Sequence, residues 1–181
     1  MAGNLLAGIP RYGLAAATAA LIADQLSKYV IVERVMRPEG VTRTPFYVNR
    51  VIEILPMFDL RLSWNTGISF SLFNSGEAGT VAALLIIQMV VSLVLIWWLW
   101  QLDRPWLQIA CGLIIGGALG NIVDRATVGA VADFLLVHWR DWEFPTFNLA
   151  DTCITIGAGM WLLDAMILHP HHGPQHKDET R

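Results

Sequence analysis

"AGTVAALLIIQMVVSLVLIWWLW", residues 78–100, decides the fold. It holds no charged residue, and a helix of that length spans the roughly 30 Å hydrocarbon core of a bilayer. Outward from it, "QLDR" (101–104) is all that precedes Pro105, a residue suited to a first helical turn, and a further apolar run over 106–123. The two runs predict a tight helical hairpin. Trp97, Trp98, Trp100 and Trp106 gather at its tip, as in an aromatic belt at a membrane–water interface. Residues 12–32 form another apolar stretch, interrupted by Asp24 and Lys28, and residues 149–168 form a fourth, with Asp151 and Asp164. Of the 181 residues, 55% are hydrophobic and 15% charged. A soluble domain carries about a quarter charged residues, so the composition is that of a chain built for lipid. The expected fold is an all-α membrane protein, a four-transmembrane-helix bundle, with residues 1–168 as one domain.

The loops between spans are uneven. "FDLRLSWN" (58–65) alternates strictly, with Phe58, Leu60, Leu62 and Trp64 on one side and Asp59, Arg61, Ser63 and Asn65 on the other, the period of a half-buried strand. "YVNRVIEIL" (47–55) is strand-like but less regular, and Pro56 separates the two. "VADFLLVHWRDWEFP" (131–145) reads as strand and turn. The long loops, about 33–77 and 124–148, therefore predict a small sheet lying on the membrane surface. The tail "HPHHGPQHKDETR" (169–181) reads as disordered. The first apolar stretch is long for a cleavable leader and lacks the usual small-residue cleavage site. A net charge of −3 provides no basic surface for nucleic acid. Cys111 and Cys153 fall inside spans without CxxC spacing or histidine partners, so neither a disulfide nor a metal site is expected.

Four spans put both termini on one side. Arg11, Arg104, Lys177 and Arg181 lie on that side, and the long-loop side carries more lysine and arginine. A naive positive-inside count would place the long loops in the cytoplasm, but several of those residues read as functional, and the sidedness stays open on charge alone.

Nearly every unusual polar residue converges on the long-loop face. Asn121, Asp124 and Arg125 occupy i, i+3 and i+4 where the third span ends, and Asn148 and Asp151 stand i, i+3 where the fourth begins. Asp24 and Lys28 share one side of the first span, and Asn65, Gly67 and Asp133 lie in loops that fold over the same spot. A charged group near hydrocarbon costs several kcal/mol and marks function more often than structure. Singly, each could be a snorkelling interfacial residue; together they predict a site. Two carboxylates at one depth in a low dielectric share a proton, an arrangement suited to acid–base attack of water on an amide. Gly116, Gly117 and Gly120 would let neighbouring helices approach closely.

At these residues the chain resembles the lipoprotein signal peptidases (signal peptidase II), four-span bacterial aspartyl proteases. The resemblance rests on "DQLSK" (24–28), "NTGISF" (65–70), "GGALGNIVDR" (116–125), "VADF" (131–134) and "FNLAD" (147–151). It implies Asp124 and Asp151 as the catalytic dyad, with Asp24, Lys28, Asn65, Gly67, Asn121, Arg125, Asp133, Asn148 and Ala150 shaping the site. It implies cleavage of prolipoproteins before a diacylglyceryl-modified cysteine, without cofactor or metal, by a monomer in the bacterial cytoplasmic membrane. Membrane lipid and lipid-modified prolipoproteins are then its partners, both termini and the tail are cytoplasmic, and the sheet and active site lie at the outer, extracytoplasmic face. "NTGISF" departs from the family in Ile68 and Ser69, where alanines are usual.

Two other readings have some footing. Ser69 or Ser71 with Lys28 could form a serine protease, although Asp24 one turn away favours a charged lysine. A transporter could use the aspartates as a relay, but the second span is uncharged and Asp164 falls about 20 Å along the helix from Asp151, at the opposite interface.

Overall fold

The computed structural model describes residues 8–67 and 78–168. Four helices are long and apolar enough to cross a membrane. α1 (Arg11–Lys28) continues without a break into a π-helical segment, Tyr29–Met36, so the first rod is longer than the expected 12–32. α2 (Ala78–Leu99) and α3 (Pro105–Val128) form the hairpin, with Pro105 in the first turn of α3. α3 also outruns its expected end at 123. Gly129, at φ 79°, stops it by returning its N–H to the Arg125 carbonyl at 3.2 Å, a left-handed cap that suits glycine. Asp124 and Arg125 therefore sit inside the last helical turn. α4 (Leu149–Leu163) passes into a π-helical Asp164–Leu168.

α3 is the buried helix, and small residues explain why. A Cβ on Gly112 or Gly116 would collide with the Gly13 or Ala17 carbonyl of α1. One on Gly117 would stand 2.5 Å from the Ala150 carbonyl of α4. Gly157 of α4 meets the Ala110 carbonyl of α3 in the same way, at 2.5 Å. Backbone thus packs on backbone, the close approach that drives association where lipid removes the hydrophobic incentive. α2 leans on α3 and leaves Ile86, Ile87, Leu93 and Val94 exposed.

The long loops build one antiparallel sheet in the order β1 (Val51–Leu55), β2 (Phe58–Asn65), β3 (Val131–Trp139), β4 (Trp142–Glu143). Tyr47–Arg50, expected as strand, stays irregular. The alternation of β2 holds in part: Leu60, Leu62 and Trp64 pack inward, but two residues, Arg61 and Leu62, oppose Phe134 alone, a bulge no period-2 reading reveals. Asp59 breaks the pattern too, buried with its Oδ2 3.0 Å from His138 Nε2. The sheet is fastened to the bundle by the π-helical end of α1, where Met36 packs on Leu60 and Phe134, and Val32 on Phe46 and Ala132. At the opposite end of the bundle, Arg104 grips Asp164 through two hydrogen bonds of 2.8 and 2.6 Å, an ion pair rather than a carboxylate reaching alone for water.

Candidate active site

Where α1, α3, α4 and the sheet meet, one polar network holds every expected site residue except Gly67, beside it through Asn65, and Arg125, turned toward α2. Lys28, only 5% exposed, binds Asp24 Oδ2 at 2.7 Å, Asp124 Oδ2 at 2.9 Å and Asn121 Oδ1 at 3.1 Å. Three partners for three ammonium hydrogens leave a charge with its donors used. Asp24 is wholly buried; its other oxygen accepts the Ala150 N–H at 2.9 Å, fastening the start of α4 to α1. Gly120 makes room for it, since a Cβ there would run into the Asp24 carboxylate.

α4 begins with a capping box. Asn148 Oδ1 accepts the Asp151 N–H at 3.0 Å, and Asp151 Oδ2 accepts the Asn148 N–H at 3.2 Å. This reciprocal pair fixes the Asp151 side chain at a helix N-terminus, where a negative charge is favoured. Asp151 Oδ1 takes a further bond from Asn121 at 3.0 Å. Asn148 is also fully buried, and its Nδ2 reaches Asp133 Oδ1 at 2.7 Å and Asn121 Oδ1 at 3.2 Å. Asn65 Nδ2 donates to Asp133 Oδ2 at 3.0 Å, while its Oδ1 accepts the Gly67 N–H at 2.8 Å. Gly67 has φ 109°, in the region that favours glycine.

The acidic residues of the network are not equivalent. Asp124 is saturated: besides Lys28, it accepts Gln25 Nε2 at 3.0 Å and the Ala132 N–H at 3.2 Å. Asp133 is 3% exposed and, among the described residues, accepts from two neutral amides. Burial, aided by the charge of Asp151, pushes its carboxyl up from 3.8 to about 7, against the pull of Asn65, Asn148 and Lys28. Asp133 and Asp151 share Asn148 and feel each other's charge. Asp124 is linked to Asp151 through Lys28 and Asn121.

A family model described as "Signal peptidase (SPase) II" matches residues 16–167, which include every residue of this network. The chain belongs to the signal peptidase II family. The lipoprotein signal peptidase of Pseudomonas syringae pv. tomato is 42% identical over 144 residues, 78% of each chain. That of Symbiobacterium thermophilum is 36% identical over 155 residues, 84% of this chain and 92% of the relative. The fold matches a bacterial membrane enzyme solved by the in meso method at 2.3 Å resolution, with TM-score 0.69, 24% identity, and coverage of 93% of this chain and 94% of that one.

As a signal peptidase II, the chain is a peptide hydrolase, and its network bears on how it works. Gln25 went unnoticed in the sequence although it bridges Asp124, Asp24 Oδ2 and the Gly120 carbonyl, the latter two at 3.2 Å. A glutamine inside an apolar span was the available signal. The Ala132 N–H had none. Arg125 proves not to pair with its neighbour Asp124; its Nη1 donates to Gln88 Oε1 on α2 at 3.1 Å. Ser69 and Ser71 lie outside the described residues. The Lys28 that a serine mechanism needs as a free amine is instead bonded to the carboxylates of Asp24 and Asp124. His138 stands five residues along β3 from Asp133, about 16 Å at strand spacing, too far to serve the site.

Proposed function

We propose that the chain is an aspartyl endopeptidase that removes signal peptides from prolipoproteins, cutting before the diacylglyceryl-modified cysteine, with Asp133 and Asp151 as its acid–base pair. The carrying observation is the Asn148 link between a buried carboxyl raised to about 7 and a second carboxylate held at a helix N-terminus. Asp151, ionised, takes a proton from water as the oxygen attacks the scissile carbonyl. Asp133, protonated, hydrogen-bonds the carbonyl oxygen and then gives its proton to the leaving nitrogen as the C–N bond breaks. One proton is accepted and one donated, so the pair ends with its charge exchanged and resets through solvent. Asn121 and Asn148 orient both acids, and Lys28 compensates Asp24 and Asp124. This scheme employs no metal.

Residues 1–168 act as one domain and as a monomer in the bacterial cytoplasmic membrane. Both termini and the 169–181 tail face the cytoplasm, and the sheet lies at the outer face. The substrate's acyl chains favour this placement: each buried methylene contributes about 0.8 kcal/mol, so two chains keep the substrate in the bilayer with its cysteine at the depth of the dyad.

The second reading pairs Asp151 with Asp124. In its favour, Lys28 and Asn121 link Asp124 to Asp151 by a continuous chain of hydrogen bonds. Cleavage of a lipidated prolipoprotein by purified variants separates the two. Asp133→Asn and Asp151→Asn should each abolish turnover in a folded protein, while Asp124→Asn, which loses only a structural charge, keeps measurable activity. Turnover by Asp133→Asn with none by Asp124→Asn would reverse the assignment. The same peptide without its diacylglyceryl group should be cut poorly in the same micelles; equal cleavage of both forms would refute lipid-based selection.

A further inference from the structure

One face of β3 continues outward from the site. Asp133, Leu135, Val137 and Trp139 alternate onto it. The chain that returns along β3 sets an aromatic residue beside each apolar one. Phe147 pairs with Leu135, the Phe144 N–H donates to the Val137 carbonyl at 2.8 Å, and Trp142 stands opposite Trp139. The rings follow one another in series, with centroids 6.1 Å apart from Trp142 to Phe144 and 5.8 Å apart from Phe144 to Phe147. Phe147 is the neighbour of Asn148, whose side chain donates to Asp133 and accepts the Asp151 N–H. The strip therefore begins in the site and ends at Trp139, about 20 Å along β3 at strand spacing.

The other face of the same edge is polar and engaged: Glu143 accepts from Arg61 at 2.7 Å, and His138 stands 3.0 Å from Asp59. The aromatic face is open. Phe144 is 46% exposed, Trp139 57% and Trp142 58%. Rings that add so little to the core, gathered on one face, are the mark of a binding surface.

The starting point of the strip selects its occupant. A peptide held across the site has two ends. The signal-peptide end is apolar and stays in the bilayer with the acyl chains, whereas the other end must leave on the side where the sheet stands. An extended chain advances as far per residue as β3 does, so about six residues beyond the cut would lie along the strip. Tryptophan and phenylalanine supply such a chain with broad, rigid contact at little entropic cost.

We propose that Trp139, Trp142 and Phe144 form an exosite for the extended segment that follows the lipid-modified cysteine of the substrate. It lowers KM for prolipoproteins by holding the departing chain, and it leaves the chemical step alone.

The inference rests on the prolipoprotein reading, and is independent of which aspartate pairs with Asp151. Two diacylglyceryl peptides test it, a short one that ends just after the cysteine and a long one that continues for about eight more residues, enough to cover the strip. Steady-state kinetics are recorded in the same micelles with full-length wild type and Trp142→Ser/Phe144→Ser. Wild type should show a KM about tenfold lower for the long peptide, the scale of one or two aromatic anchors. In the variant that advantage should vanish, while kcat for both peptides stays within about threefold of wild type and the KM of the short peptide is unchanged. Should the double variant fail to fold, Trp142→Ser is read in its place, since its indole is more than half exposed. Equal KM values for the two peptides in wild type, or an advantage that survives in the variant, overturn the inference. A rise in KM shared by both peptides also overturns it and assigns the rings to the membrane surface. If wild type cuts neither peptide, the prolipoprotein reading itself falls, and the exosite with it.

Discussion

Asp133 costs the fold stability, and the cost has a definite pH signature. Its carboxyl keeps a proton to about pH 7 in the folded chain, against 3.8 ordinarily. Between these values the unfolded chain has released a proton that the folded chain retains, so stability falls as pH rises from about 4 to about 7 and levels off above. Thermal midpoints in micelles should follow that course in wild type, and Asp133→Asn should flatten it. At Gly120, alanine would drive a methyl into the Asp24 carboxylate, displacing the Lys28 pair. Gly120→Ala should lose most activity and about 1–3 kcal/mol of stability, the usual cost of overpacking; wild-type turnover would show that α1 yields there. The bond from Lys28 to Asp124 was not legible in the chain, because it joins helices nearly a hundred residues apart.

Among the elements, what was legible is what periodicity and capping encode. Uncharged runs, Pro105 and the alternation of 58–65 announce the helices and β2. Gly129 as a helix stop and Asn148–Asp151 as a capping box are local grammar too, but the bulge opposite Phe134 and the irregular Tyr47–Arg50 depend on tertiary partners. The π-helical end of α1 is of the second kind. It exists because Val32 and Met36 have a sheet to lie on, and Met36 is 1% exposed. Met36→Ala should cost about 2–5 kcal/mol, as large-to-small core changes do. Because Met36 anchors the sheet that carries Asp133, turnover should drop while helical circular dichroism stays. Loss of helicity in step with activity would mean that sheet and bundle are not separable in this way.

At the scale of the whole molecule, most of the buried charges among the described residues gather at one end of the bundle, and Arg104 pairs with the buried Asp164 at the other. Asp164→Asn should therefore lower the thermal midpoint without changing the shape of the pH–rate profile; a displaced limb would reveal coupling across the membrane. A chelator should leave turnover unaffected, since the described residues contain no cluster of three metal-ligating side chains. The backbone-to-backbone seams of α3 carry a consequence for the protein's history. At Gly112, Gly116 and Gly117 a neighbouring helix carbonyl occupies the space the smallest side chain would need. A single replacement there requires a whole helix to move, and with it Asp24 or Asp151. Drift along this lineage is thereby channelled to the lipid-facing side of α2 and the outer strands, where neighbours are fluid, while α3 is held to its present letters by geometry alone.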